Sequence, residues 1–242
     1  MTIEKINLNG ELIYDLHVHS VYSYDSISFP KYILKKAKSI GLNGIAITDH
    51  DTIKGAKKIM KANKGCEDLE IIIGSEIKTD HGDVIGLFLD EDIKSKNIHE
   101  VIEEINEQNG FSILPHPYKT FPKIPSTILT KVGAIEIMNA RIPEELNKKS
   151  RELIQKKNLL YCGGSDAHFV SHIGSVSTCY NQDIGSLSID NINIALKKPR
   201  IIGSTVPYNS HYYTVALGNM RKKKFKKLLE LGYREARNFL FR

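Results

Sequence analysis

The sequence predicts an α/β fold: a mainly parallel sheet closed into a barrel, followed by a helical C-terminal extension. Three observations predict it. Apolar runs of strand length alternate with segments of helical period, the pattern of a parallel sheet with crossover helices. Seven such runs are present, enough to close a barrel. Three distant segments, Asp15-Leu16-His17-Val18-His19, Thr48-Asp49-His50-Asp51 and Ser165-Asp166-Ala167-His168, each set histidine beside carboxylate just after an apolar run. Chemistry gathered at strand C-termini is what an α/β barrel offers.

The first run, residues 12–17, leads into His17 and His19. Residues i and i+2 of an extended strand face one side, so these imidazoles converge. The same rule is expected to bring Asp166 and His168 together. Residues 30–40 read as a helix with Ile33, Leu34, Ala37 and Ile40 on one face and Lys31, Lys35, Lys36 and Lys38 largely outside it. Further strands are expected at 44–48, 70–76, 84–89, 111–115, 133–138 and 159–164. Helices are expected at 96–108, with Ile98, Val101, Ile102 and Ile105 inward, and at 144–157, with Leu146, Leu153 and Ile154 inward. The composition shifts near Thr205-Val206-Pro207-Tyr208-Asn209-Ser210. The barrel is therefore assigned to residues 1–205 and a basic extension to 206–242.

The 242 residues suit one domain with a sizeable core. No apolar run approaches the ~20 residues of a membrane span, and the start, Met1-Thr2-Ile3-Glu4-Lys5, lacks a signal-peptide pattern. Cys66, Cys162 and Cys179 are odd in number and form no CxxC. They read as reduced, buried thiols of a cytoplasmic protein. The net charge of +6 is uneven, because residues 221–242 carry nine Lys or Arg against Glu230 and Glu235. The body is close to neutral. In the tail, Phe225, Leu228, Leu229, Tyr233, Ala236 and Leu240 keep a helical spacing. An amphipathic helix packed on the barrel with a solvated lysine face is the expected form.

The histidine and carboxylate segments imply a metal site. At these residues the sequence resembles the PHP (polymerase and histidinol phosphatase) family of metal-dependent phosphoesterases. His17-x-His19, with Asp25 trailing, resembles the family's first motif, and Ile47-Thr48-Asp49-His50 its second. Gly74-Ser75-Glu76-Ile77 carries a bridging glutamate, Pro115-His116-Pro117 the third-motif histidine, and Gly164-Ser165-Asp166-Ala167-His168 the last pair. The resemblance runs from about Asp15 to Pro199 and implies a distorted (β/α)₇ barrel holding divalent ions.

Nine metal ligands follow: His17, His19, Asp25, His50, Glu76, Asp83, His116, Asp166 and His168. Asp83 stands where many relatives carry a histidine. Its harder oxygen would favour Mn²⁺, Fe²⁺ or Mg²⁺ over Zn²⁺, and His81 is an alternative. For Asp25 the alternative is capping the helix near Pro30. Two to three ions (Mn, Fe or Zn) are expected. Four carboxylates against two divalent ions leave the site neutral; against three they leave about +2, which draws phosphate more strongly. Asp49 is expected to orient His50, Asp51 to cap the next helix, and Asp15 to be structural. His99, His172 and His211 are expected to face solvent.

Arg141 is a candidate phosphate clamp, its planar fork matching phosphate oxygens, against an ordinary surface arginine; Lys119 is a second candidate. The catalytic set is then His17, His19, His50, Glu76, His116, Asp166, His168 and Arg141. The reading is a phosphatase-type hydrolase cleaving a small phosphomonoester, such as a nucleotide, sugar or amino-alcohol phosphate, through a metal-activated hydroxide. One alternative is a nuclease on short single strands or RNA 5′ ends, with the basic tail tracking the backbone. Another is a catalytically silent regulatory or scaffold module, against which the near-complete ligand set speaks.

Overall fold

The computed structural model describes residues 10–66, 68–207 and 209–221. In chain order the elements are β1 (Glu11–Val18), α1 (Pro30–Ser39), β2 (Gly44–Ile47), α2 (Lys54–Ala62), β3 (Glu70–Thr79), β4 (Gly82–Leu87) and α3 (Ile98–Glu107). Then follow β5 (Phe111–Leu114), the single turns α4 (Pro117–Thr120) and α5 (Ser126–Leu129), β6 (Ala134–Asn139), α6 (Glu144–Lys156) and β7 (Leu160–Gly164). The chain continues through β8 (Val176–Asn181), α7 (Ile192–Ala195), β9 (Arg200–Gly203) and α8 (Asn209–Arg221).

The nine strands form one sheet in the order β7-β6-β5-β4-β3-β2-β1-β8-β9. The sheet curls into a nearly closed barrel where β7 returns to β1. Val18 bridges Ala167 in parallel, and His19 N–H donates to Ala167 O at 2.9 Å. Thr178 Oγ1 accepts from Gly163 N at 2.9 Å and donates to Gly163 O at 2.8 Å, tying β8 to β7.

Two features differ from the seven mainly parallel strands expected. First, β4 runs antiparallel to both β3 and β5. Only Asp80 and His81 separate β3 from β4, and so short a link can only reverse the chain; a parallel return needs a crossover of a dozen residues or more. Second, β8 and β9 add an antiparallel edge beyond β1. The β8 sequence, Val-Ser-Thr-Cys-Tyr-Asn, has no apolar run to mark it.

Three apolar clusters fill the interior and the helix–sheet interfaces. In one of them α3 buries Ile98, Val101, Ile102 and Ile105 against Ile77, Val84 and Leu114. The side chain of Asn97 caps α3 by accepting from the backbone N–H of His99 and Glu100. Proline at the first position starts α1, which buries Ile33 and Ala37. Helix α6 departs from its expected apolar face. Its buried residues are Asn147 and Ser150, while Leu153 and Ile154 are only partly covered. The reason is a polar clamp: Asn147 Oδ1 accepts from Asn139 N at 2.9 Å, and Asn147 Nδ2 donates to Asn139 O at 3.0 Å. That clamp fixes the C-terminal end of β6, where functional side chains begin. Of the three thiols, Cys162 and Cys179 are buried as expected, but Cys66 is exposed, because it lies in the turn after α2 rather than on a strand.

The described residues contain no helix long and apolar enough to cross a membrane. The start of the extension forms α8, which lies on the barrel; residues 222–242, where most of the basic tail was expected to pack, lie outside the described residues.

Gly164, at the end of β7, shows how tightly the barrel rim is packed. A Cβ there would stand 2.5 Å from His17 Cβ and 2.9 Å from Glu136 Oε1. Gly164→Ala is expected to lower the unfolding free energy of the metal-free protein by roughly 1–3 kcal/mol, the usual cost of overpacking, as read by urea denaturation.

Candidate metal centre

His17, at the end of β1, and His19, just beyond it, turn to one side, and their Nε2 atoms lie 3.1 Å apart. Each ring is held from behind. His17 Nδ1 lies 3.1 Å from Glu136 Oε1, and His19 Nδ1 lies 3.0 Å from Ser23 Oγ. The Glu136 carboxylate can only accept, so it holds a proton on His17 Nδ1 and turns Nε2 towards the centre. Two ring nitrogens this close need a proton or a cation between them.

Around this pair the other ligands close in. Glu76, on β3, is central: its Oε2 is 3.3 Å from His19 Nε2, 3.3 Å from His50 Nδ1 and 3.5 Å from His17 Nε2, while its Oε1 is 3.0 Å from His116 Nε2. Asp166 Oδ1 lies 3.3 Å from His19 Nε2 and 3.3 Å from His168 Nδ1. Asp25 Oδ2 lies 3.3 Å from His50 Nε2 and 3.2 Å from His168 Nε2. Asp83 shares a cluster with Glu76 and His116. All nine side chains named from the sequence therefore meet at one rim.

Several details differ from expectation. His81 is turned away, 65% exposed and paired with Asp80 at 3.1 Å, because Gly82 reverses the chain immediately after it. Asp166 and His168 do converge, but not through strand alternation: β7 has ended at Gly164, and Asp166 sits in the left-handed region at φ 52°. His116 is left-handed as well, at φ 30°. Such angles are uncommon outside glycine. Asp49 does not reach His50. It accepts from Ser20 N and Ser20 Oγ, each at 2.6 Å, and so fixes the loop after β1. Asp51 does not cap α2. It accepts from Lys78 N at 3.1 Å and Lys96 Nζ at 2.6 Å, and Ile53 holds the N-cap position. Asp25 is not a cap for α1, whose N-cap is Phe29. Asp15 is structural as expected: buried, it accepts from Ser165 N and Gly174 N, each at 2.9 Å.

Glu136 was not singled out by the sequence reading. It is buried on β6; its Oε1 backs His17, and its Oε2 accepts from His116 N at 2.8 Å and Asn139 Nδ2 at 2.9 Å. The available signal was a lone carboxylate inside the apolar run Ala134-Ile135-Glu136-Ile137.

The electrostatics ask for positive charge. Burial alone would push His17 and His19 down. Nearby carboxylates outweigh it, holding His17 well above its ordinary value and His19 up at about 9. Burial would raise Glu76 and Asp166, yet surrounding cationic groups, Arg141 foremost for Asp166, hold both well below the usual carboxylate range. Burial, and then the neighbouring charge of Glu76, push Asp83 up; a cation between the two would reverse that.

The residues fit divalent ions. Asp25 Oδ1 and His116 Nδ1 are buried with no hydrogen-bond partner among the described residues. Mixed imidazole and carboxylate donors suit Mn, Fe or Zn. Four clusters of three ligands have their donor atoms within 4.8 Å of one another: His19, His50 and His168; His17, His116 and Asp166; His17, His19 and Glu76; and Glu76, Asp83 and His116. The clusters share members, so they describe fewer ions than four.

A cavity of about 360 Å³ opens above the ligands, with Tyr24, Lys78, Lys119, Arg141 and His211 in its wall. Arg141 is buried rather than on the surface. Its Nη1 donates to Asp166 Oδ1 at 3.3 Å and lies 2.6 Å from His168 Nδ1; its Nη2 donates to Thr214 Oγ1 at 2.6 Å and lies 3.3 Å from His211 Nδ1. Burial and then Arg141 lower His168 to about 3 and His211 to about 4. His211 thus faces the cavity rather than solvent, because α8 folds back across the rim. His172 is half-buried, its ring edge-on to Phe169 at 5.5 Å, and His99 is half-buried on α3.

Comparison with known proteins agrees with this geometry. The PHP domain model matches residues 15–234. An uncharacterized protein of Methanocaldococcus jannaschii is 40% identical over 166 residues, 61% of this chain and 96% of its own length. A 5′-3′ exoribonuclease of Haemophilus influenzae is 41% identical over 66 residues, 27% of this chain and 23% of its own. Among solved structures, a two-domain protein from Bacteroides vulgatus containing a predicted PHP-like metal-dependent phosphoesterase aligns with a TM-score of 0.66 at 21% identity, over 80% of this chain and 65% of its own. A lesion-specific endonuclease from Pyrococcus furiosus aligns with a TM-score of 0.59 at 18% identity, over 79% of this chain and 57% of its own.

Because Glu136 orients His17 and also holds the backbone of His116, Glu136→Gln is expected to weaken Mn²⁺ binding by ~10–100-fold, the usual effect of losing a partner behind a ligand. Calorimetric titration of the metal-stripped protein checks this.

Proposed function

From the premise that the chain belongs to the PHP domain family of metal-dependent phosphoesterases, we propose that it hydrolyses a small phosphomonoester: a nucleotide, or a sugar or amino-alcohol phosphate. The observation that carries the reading is the cavity, whose ~360 Å³ lies at the small end of the range for ligand pockets. It ends on a metal-ligand cluster and is walled by a buried guanidinium.

The nine ligands would hold two to three divalent ions, which supply Lewis-acid charge stabilisation and lower the pKa of a water. The chain's own residues do the rest. Asp166 and Thr214 hold the Arg141 guanidinium in the cavity wall, so a phosphoryl group entering the cavity meets a cation already in position. Lys119 adds a second cation in the cavity wall. Glu136 keeps the proton of His17 on Nδ1, away from the reacting side, and Ser23 fixes the ring of His19. No described serine or cysteine stands ready as a nucleophile. Ser23 is occupied by His19 and the backbone of His50, and burial pushes the Cys162 thiol well up.

A second reading, cleavage of short single strands or RNA 5′ ends, is favoured by one feature. Tyr22 and Phe29, both exposed, flank the loop that carries Asp25. They offer faces on which bases could stack.

Assayed with Mn²⁺ against phosphorylated metabolites and short oligonucleotides, the protein is expected to release inorganic phosphate from one class of monoester. Turnover of oligonucleotides alone would promote the second reading, and no turnover of either would promote a silent module. His17→Ala or Glu76→Ala should remove metal and activity together, as elemental analysis alongside the assay would show. Arg141→Ala should lower kcat/KM by an amount equivalent to ~2–3 kcal/mol, the loss of a charge-assisted contact, with the metal content of the parent.

A further inference from the structure

Helix α8 stands outside the alternation of strands and helices, yet it touches the centre along its whole length. Near its start, Thr214 Oγ1 and His211 Nδ1 meet Arg141 Nη2 at 2.6 and 3.3 Å. Midway, Gly218 passes so close to the loop after β1 that a Cβ there would stand 3.1 Å from Tyr24 Cδ2 and 3.3 Å from Asp25 Cβ. At its end, Arg221 Nη1 donates to the carbonyl oxygens of Ser23 and Ser26, each at 3.0 Å.

Those two serines are the residues that hold the ligands. Ser23 Oγ lies 3.0 Å from His19 Nδ1 and accepts from His50 N at 2.9 Å. Ser26 Oγ lies 3.0 Å from His19 O and 3.0 Å from His168 O, the acceptors that its proton serves. Both serines are buried, and between them Asp25 reaches His50 and His168. One guanidinium on α8 therefore grips the loop that aligns four ligands, while two other side chains of the same rigid helix grip Arg141.

We infer that α8 is a clasp across the active site. Arg221 is a positioning residue for the ion held by His19, His50, His168 and Asp25, and the helix couples that ion to anion binding at Arg141. The inference rests on the metal-centre reading above. An anion taking the Arg141 guanidinium competes with Thr214 and His211 for its donors, and any adjustment of α8 is passed to Ser23 and Ser26 through Arg221. Coupling of this kind is reciprocal: whatever the anion does to ion affinity, the ion does to anion affinity.

The test is calorimetric titration of metal-stripped full-length protein with Mn²⁺, with and without inorganic phosphate, for the parent, Arg221→Ala and Arg221→Lys. In Arg221→Ala one class of Mn²⁺ sites should weaken about 10-fold while the others keep the parent affinity. The shift that phosphate causes in that class should shrink, and Arg221→Lys should recover part of the loss. The melting temperature of the metal-free variant should stay near that of the parent. Superimposable isotherms for parent and Arg221→Ala would overturn the inference. So would uniform weakening of every class together with a lower metal-free melting temperature, the mark of a merely structural role. A parent that binds no Mn²⁺ would overturn the metal-centre reading itself, and this inference with it.

Discussion

The centre is organised around two imidazole nitrogens placed 3.1 Å apart. Glu136 and Ser23 engage the far side of each ring and fix its bearing. The carboxylates of Glu76 and Asp166 complete a buried concentration of negative charge that only cations can balance. Much of the barrel rim serves this arrangement. Asn147 fixes the end of β6, Asp49 ties down the loop after β1, and the absence of a side chain at Gly164 leaves His17 its room.

The parts legible in the sequence were those that obey a local period. His17-x-His19 runs along the end of β1 and just past it, and alternation from the strand is enough to put both rings on one side. The amphipathic spacing of Ile98, Val101, Ile102 and Ile105 marks α3 for the same reason. What escaped was set by geometry that no period records. Asp166 and His168 meet through a left-handed residue. Asp49 and Asp51 take partners from the loop after β1 and from β3 with the loop before α3. Glu136 was hidden because one carboxylate in an apolar strand reads as an interruption, and its role depends on partners 119 and 20 residues away. His211 was placed at the surface because nothing local to the extension reveals that α8 crosses the cavity.

The serines of the loop after β1 share a further trait. Ser20, Ser23, Ser26 and Ser28 are all buried, and each bonds a ligand, its backbone or the acid that fixes the loop. Small hydroxyls can serve as donor and acceptor at once, so a short stretch of chain supplies a dense lattice behind the ligands without bulky side chains. A phosphoester cleft needs such backing, since imidazoles must hold their bearing while substrate and product exchange.

The reversed strand β4 has a consequence for how such a barrel changes over evolutionary time. Because β4 runs against its neighbours, its beginning rather than its end reaches the active rim, and Asp83 arrives there directly opposite Lys78 from a tight hairpin. Apart from Glu76 inside β3, the other candidate ligands come from strand ends and the loops that follow them. A hairpin tip, by contrast, can lengthen, shorten or swap residues while the ladder beneath it stays in register. The cluster of Glu76 with Asp83 and His116 thus hangs in part on the strand that leaves this tip. A lineage could exchange aspartate for histidine there, or lose the carboxylate altogether, and so retune an ion held at that cluster while the His17–His19 pair remained untouched.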